Sequence, residues 1–227
     1  FGSSQYAVVI IKIEGGFKVT TDKNTYEAKA VLITTGSHRR RLEAENADVF
    51  EHKGITYCAS CDGPMFTGKD VVVVGGGNAG FETAAQLLAY TKSVTLLNRS
   101  EEFKADPVTV EAVLKDPKMS VIKNAQITKV LGDKFVSGFI YKDLKTGEEK
   151  EISCQGIFIE IGNIPTTEMV AGLVPLDEFN RIKIDPWTQR TETDGVWAAG
   201  DCTNIIYHQN NIAAGDAVKA LEDIYLW

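Results

Sequence analysis

Positive charge is in short supply in this chain. Its 24 Lys and Arg are outnumbered by 31 Asp and Glu, leaving a formal net charge of −7. A surface with that balance has no electrostatic grip on a phosphate backbone, so nucleic acid is not an expected partner. Long apolar runs are missing too. None approaches the roughly 20 residues that cross a bilayer, and no membrane partner is expected. No stretch reads as a secretory signal, which points to a cytoplasmic protein. Cysteine is sparse, with four in 227 residues. Four are too few to staple a chain of this size and fit a reducing compartment with one reactive pair. No histidine stands at finger spacing from them, which argues against a structural zinc site, and no metal is expected. The one basic run, His38-Arg39-Arg40-Arg41, reads as a solvated loop after a strand.

The chain is long enough for one large domain or two small ones with real cores. Tyr6–Glu14 and Phe17–Thr21 flank Gly15-Gly16 and read as a hairpin. Ala30–Thr34 reads as a short buried strand ending in Thr35-Gly36. Residues 37–57 are mostly polar and read as an irregular linker. Val71–Val74 is a continuous β-branched run, as in a strand covered on both faces of a parallel sheet. Apolar residues at helical spacing follow over Asn78–Tyr90, and Ser93–Leu97 is the next strand, completing a βαβ unit. Further on, Val108–Leu114 and Ile212–Tyr225 read as helices. Met119–Ile122, Gln126–Leu131, Val136–Asp143, Glu149–Ser153, Gly156–Ile161, Ile182–Ile184 and Val196–Ala199 read as strands.

Two short patterns carry chemistry. Gly75-x-Gly77-x-x-Gly80 follows a strand and opens a helix. In that setting the glycines allow a tight turn, close approach of a pyrophosphate and close helix packing, while free N–H groups hold the phosphate charge. A carboxylate at the end of the second strand would read the ribose of NAD. Here that position reads Leu97-Asn98-Arg99-Ser100, with Lys104 shortly after, so Arg99 and Lys104 point instead to the 2′-phosphate of NADPH. NADH remains an alternative, and Arg99 also reads as an exposed surface residue.

The second pattern is Cys58-Ala59-Ser60-Cys61-Asp62. Two cysteines two apart suit a redox dithiol, half a zinc site, or two packed thiols. Asp62 suits proton transfer to a thiolate, or a plain turn before Gly63-Pro64. Gly200-Asp201 after an apolar strand suits a carboxylate aimed at a sugar or ribityl hydroxyl, or a helix cap. There is also an internal echo. Val31–Gly36 and Ile157–Gly162 are both apolar strands ending in glycine, but only the second has a glycine loop upstream. This reads as one full dinucleotide domain and a second that lacks its opening half.

Taken in order, Thr35-Gly36, Cys58-Ala-Ser-Cys61-Asp62-Gly63, Gly75-Gly-Gly-Asn78-Ala-Gly80, Ala198-Ala-Gly200-Asp201 and Tyr207-His-Gln209-Asn-Asn resemble the low-molecular-weight thioredoxin reductase family. Cys61-Asp-Gly-Pro64-Met-Phe66 and Lys104-Ala-Asp106 look closer to the reductase component of the alkyl hydroperoxide system, a sister branch. The resemblance implies an α/β protein with two Rossmann-like domains of pyridine-nucleotide-disulfide oxidoreductase type. A discontinuous FAD domain would cover residues 1–40 and 163–227, without its first glycine loop. An NAD(P)H domain carrying the CxxC would cover residues 41–162. It implies electron flow from NADPH through FAD to the dithiol and on to a thioredoxin-like or peroxiredoxin-linked protein disulfide, in a homodimer. Cys61 would face the flavin, Cys58 would attack the substrate, and Asp62 would move protons. Gly75, Gly77, Asn78, Ala79, Gly80, Arg99, Lys104, Ile161 and Gly162 would line the nicotinamide nucleotide. Thr35, Gly36, Gly200, Asp201, His208, Gln209 and Asn210 would lie along the flavin. The alternatives are the NADH-dependent peroxiredoxin-reducing branch, and a non-catalytic nucleotide-binding or redox-sensing module without flavin.

Overall fold

A computed structural model of the chain describes residues 7–227. The expected start of the first hairpin at Tyr6 lies outside the described residues. Two compact units emerge. One joins the described part of Phe1–His38 to Asn163–Trp227, and the other is Arg39–Gly162.

The Arg39–Gly162 unit is built on a five-stranded sheet, in the order Ile55–Thr56, Gly156–Ile159, Asp70–Val74, Ser93–Asn98 and Met119–Lys123. Every neighbouring pair is parallel. Parallel sheets need cover on both faces, and the valine run shows how they get it. Val71 and Val73 point into a core with Phe81, Leu87 and Val113 of the helices Asn78–Leu88 and Pro107–Leu114. Val72 points the other way, into a core with Val130 and Phe139. Those two residues come from an antiparallel sheet of Ala125–Gly132, Val136–Asp143 and Glu149–Ser153. One strand of alternating reach thus fixes helices on one face and a meander on the other.

Residues 37–57 are more ordered than their polarity suggested. They hold a strand at Ser37–Arg39, a 3-10 turn at Asp48–Phe50 and the edge strand Ile55–Thr56. Phe50 and Ile55 are buried in the same core as Val72, and that burial pins the segment.

In the other unit, Ala7–Ile13, Gly16–Thr21 and Thr25–Ala28 form an antiparallel meander. Val31–Ile33 pairs in parallel with Val196–Ala198. Phe17, Ile33, Val170, Val196 and Cys202 make its core. The last helix runs Asn210–Leu226. The expected strand at Ile182–Ile184 does not form. Ile182 is fully buried but makes only isolated bridges, to Leu176 and Thr203. The next donors are taken by turns, with Lys183 N–H on the Pro175 carbonyl and Asp185 N–H on that of Arg190.

Candidate functional site

Cys58 and Cys61 are joined by a disulfide, with Cα atoms 5.3 Å apart. Cys58 is the N-cap of a four-residue helix, Ala59–Asp62, and Cys61 lies one turn on. Two i, i+3 side chains on a helix share a face, which is why this spacing closes a bond. The short helix is fastened at both ends. Ser60 Oγ donates to Gln86 Oε1 of the glycine-loop helix at 2.8 Å. At the other end, Thr56 Oγ1 of the edge strand donates to Asp62 Oδ2. Cys58 is half-buried, Cys61 exposed and Asp62 half-buried. Asp62 is therefore part of a side-chain hydrogen bond beside the pair and not merely a turn residue. Next to Cys58, the Tyr57 hydroxyl donates to Glu51 at 3.1 Å. Burial and then that carboxylate push its pKa up to about 12, so it stays neutral.

The remaining thiols behave differently. Cys154 and Cys202 are buried and unbonded. Burial pushes the Cys154 thiol up to about 12 and raises that of Cys202. Only the thiolate is a nucleophile, so both are inert packing residues at neutral pH.

The glycine loop borders a cleft of about 890 Å³. Of the expected nucleotide residues, Gly75, Gly77, Asn78, Ala79, Arg99, Lys104, Ile161 and Gly162 line it. Gly80 instead lets the helix sit on the strand, since a Cβ there would overlap the carbonyl oxygen of Gly75. Gly75 has φ +128°, and a Cβ there would overlap the Glu160 carbonyl. The segment after the second strand is folded back onto the loop. The buried Asn98 amide donates to the carbonyls of Ser100 and Glu102, at 2.8 and 2.9 Å. Lys104 N–H donates to the Gly76 carbonyl at 2.9 Å, and Asn78 Oδ1 accepts from Asp106 N–H at 2.7 Å.

Charge in this cleft runs against the chain's net sign. Arg40, Arg41, Arg99 and Lys104 all line it, and none has a side-chain hydrogen bond or ion pair among the described residues. The nearby Glu101 does not neutralise them. Bonding to Lys145, and then to Asn124, holds its carboxyl down to about 2. Unpaired guanidinium groups beside a helix N-terminus suit a ligand with phosphates. Arg40 and Arg41 are exposed in a loop after the strand Ser37–Arg39, as expected of their run, and they border the cleft besides. The run's sequence does not show that residues 40–43 border the cleft. Glu160 was also missed. It accepts from Thr83 Oγ1 at 2.8 Å and pairs with Arg39 at 3.3 Å, and burial raises its pKa.

The other unit gathers a separate set. Asp201 follows the buried Gly200, accepts from Ser37 Oγ at 3.4 Å and lies 3.5 Å from His208 Nδ1. Gly36 has φ +65°, its carbonyl accepts from Thr166 N–H at 3.0 Å, and Thr35 Oγ1 donates to the Thr166 carbonyl. His208, Gln209 and Asn210 are exposed, Gln209 standing at the N-cap of the last helix without a side-chain cap bond. This unit thus offers a carboxylate and exposed polar groups at strand ends. Among the described residues, the glycine loop leading from strand to helix lies in Arg39–Gly162.

Residues 3–217 match the family model of pyridine nucleotide-disulphide oxidoreductases. The chain is 40% identical over 194 residues to an NADH dehydrogenase of Bacillus subtilis (strain 168), covering 86% of this chain and 38% of that protein. It is 36% identical over 218 residues to thioredoxin reductase of Streptomyces clavuligerus, covering 95% of this chain and 68% of the relative. It is 39% identical over 211 residues to a component of the alkyl hydroperoxide reductase of Escherichia coli (strain K12), covering 92% of this chain and 40% of that protein. The crystal structure of Lactococcus lactis thioredoxin reductase in its FR conformation superposes with TM-score 0.82 at 30% identity, covering 98% of this chain and 73% of the other. The chain therefore spans between about two fifths and three quarters of the length of these proteins.

Proposed function

The chain belongs to the pyridine nucleotide-disulphide oxidoreductase family, of thioredoxin-reductase type, and on that premise we propose that it passes electrons from NADPH through FAD to the Cys58/Cys61 pair and on to a thioredoxin-like protein disulfide. The observation that carries this is the placement in one unit of a bonded cysteine pair, a carboxylate beside it and a glycine-loop cleft lined by unpaired cations. When bound, the nicotinamide and flavin supply the two electrons that reduce the pair.

Each residue has a role under this reading. The loop N–H groups of Gly77 to Ala79 would hold the pyrophosphate, and Arg99 and Lys104 the 2′-phosphate. Ile161 and Gly162 would wall the same cleft. Asp201 and Gly200, with Thr35, Gly36, His208, Gln209 and Asn210, would border the flavin. The Cys58 thiolate attacks one sulfur of the substrate disulfide. That bond breaks as a mixed disulfide forms, and Asp62 gives a proton to the leaving sulfur. The Cys61 thiolate then attacks Cys58 Sγ, the pair closes again, and the second substrate sulfur leaves as a thiol after taking a proton from solvent. In this reading the active form is a cytoplasmic homodimer, with the flavin domain at residues 1–40 and 163–227 and the nucleotide domain at 41–162.

Exposure alone favours the opposite order of attack, because Cys61 is the more exposed residue. Single-cysteine variants of the complete natural protein decide between them. Cys58→Ser should abolish protein-disulfide turnover while nicotinamide-to-flavin transfer survives. Full activity of Cys58→Ser on the protein disulfide would show the assigned role to be wrong. A second reading is favoured by the likeness to the alkyl hydroperoxide reductase component and by the single arginine in Asn98-Arg99-Ser100. In it the donor is NADH and the target is peroxiredoxin-linked. Turnover with NADH that equals or exceeds turnover with NADPH would select it. A visible spectrum of the purified complete protein without a flavin band would instead favour a nucleotide-binding module that does no redox catalysis.

A further inference from the structure

Thr56 is an odd choice for its position. It is the second residue of a two-residue edge strand, paired with Phe158 of the central sheet and only 6% exposed. Its neighbour Ile55 is fully buried. A valine would have nearly the same shape there and would leave no hydroxyl to satisfy, and burying a hydroxyl is costly unless it is bonded. The hydroxyl of Thr56 does not turn back onto its own backbone. It donates to Asp62 Oδ2, six residues along the chain. That is the one donor to the Asp62 carboxyl among the described residues. The helix that carries Asp62 is a single turn and cannot by itself fix where a carboxyl points.

We propose that Thr56 is the positioning residue for Asp62, anchoring the acid–base carboxyl to the parallel sheet so that Oδ1 stays free to exchange a proton with the cysteine pair. The proposal rests on the reading of Asp62 as the proton carrier. The sheet edge makes a stiff anchor, since Thr56 is held by the ladder to Phe158. The same carboxyl borders a pocket of about 320 Å³ whose wall includes Thr56, Phe66, Phe135 and Gln155. His52 and Lys69 are the other titratable groups on that wall, and Tyr57 with Glu51 lies on the strand side. Asp62 thus has one oxygen committed to the sheet and a solvent-connected space through which its proton can be replaced.

The test uses the complete natural protein loaded with flavin. Thr56→Val keeps the shape and removes the donor, Thr56→Ser keeps the hydroxyl, and Asp62→Asn removes the carboxyl. Thr56→Val should slow protein-disulfide reduction about 10-fold and leave nicotinamide-to-flavin transfer unchanged. The loss should fall on kcat with KM unchanged, because Thr56 positions the proton carrier and does not touch the substrate. Thr56→Ser should restore the rate. A folding fault alone would slow nicotinamide-to-flavin transfer as well. The proposal is overturned if Asp62→Asn cuts turnover but Thr56→Val leaves kcat as it was. If Asp62→Asn itself has no effect, the proton-carrier reading falls and takes the proposal with it. Should Thr56→Val fail to fold, Thr56→Ala is read by the same kcat, and an unchanged kcat there overturns the proposal equally.

Discussion

Each unit of this chain contains an apolar strand that runs into a glycine, and the two strands end in different surroundings. Gly156–Ile159 leads to Gly162 and lies between Ile55–Thr56 and Asp70–Val74. Val31–Ile33 leads to Gly36 and, among the described residues, pairs only with Val196–Ala198. Ile157 and Phe158 are fully buried, while Val31 and Leu32 are half-buried. The strand sequences are alike, so the difference comes from the neighbours. Where the adjacent strand Asp70–Val74 delivers a glycine loop, a cleft with unpaired cations results. Where no such strand lies alongside among the described residues, the same strand type presents exposed polar groups. Among the described residues, the cleft with its unpaired cations follows from the strand–loop–helix neighbour and not from the apolar strand that ends in glycine.

The hardest way to break this contrast is to remove the cradle. A Cβ at Gly80 has no room against the Gly75 carbonyl, so Gly80→Val must push the helix Asn78–Leu88 away from its strand. Nicotinamide nucleotide affinity should fall at least about 1,000-fold, the equivalent of about 4 kcal/mol. Titration followed by calorimetry reads this directly. Binding within tenfold of the parent would show that the cradle is not where the nucleotide sits.

A milder experiment uses one buried thiol per unit. Cys154 lies in the core of Arg39–Gly162 and Cys202 in that of the other unit, 1% and 0% exposed. Burial raises both thiol pKa values, so each reacts only when its surroundings open. With Cys58 and Cys61 replaced by serine, nucleotide at 100 times its dissociation constant should slow labelling of Cys154 by about 100-fold. Cys202 should label at its original rate. Equal slowing of the two would mean that the units open as one body and that the contrast between them does not extend to stability.

Much of this arrangement could be read in the residues. The valine run, the glycine spacing and the helical period after it are local signals, and each marks an element within a few residues of its true end. The helix expected over Asn78–Tyr90 ends at Leu88, because Ala89 to Thr91 turn back with the Thr91 hydroxyl on the Leu87 carbonyl. The cysteine pair with Asp62 was legible for the same reason, since all three residues lie within one turn. The less legible features depend on distant partners. Phe50 and Ile55 order a polar segment only because Val72, Val130 and Phe139 surround them. Nothing in Thr56 alone says that its hydroxyl meets Asp62, and nothing in Glu160 alone says that Thr83 and Arg39 will bracket it. Arg40 and Arg41 carry a charge pattern that a solvated loop shares, and the fold alone places them at the cleft.

Those two arginines set the finest test of the contrast. If the cleft owes its phosphate affinity to all its unpaired cations, Arg40→Ala and Arg41→Ala should each weaken nucleotide binding about 10-fold. Both should act on NADPH and NADH alike if they meet the shared pyrophosphate, and each should reduce the salt sensitivity of binding, since a charge contact is lost. Arg99→Ala should separate the two nucleotides, weakening NADPH more than NADH, because it stands at the end of the strand where the ribose is read. Fluorescence titration of each variant at two ionic strengths gives all of these comparisons. If Arg40 and Arg41 prove silent while Arg99 and Lys104 matter, the cleft's specificity lies wholly in the strand–loop–helix unit and the preceding segment is only its wall. If all four act, a segment that contributes no strand to the cradle still supplies part of its charge.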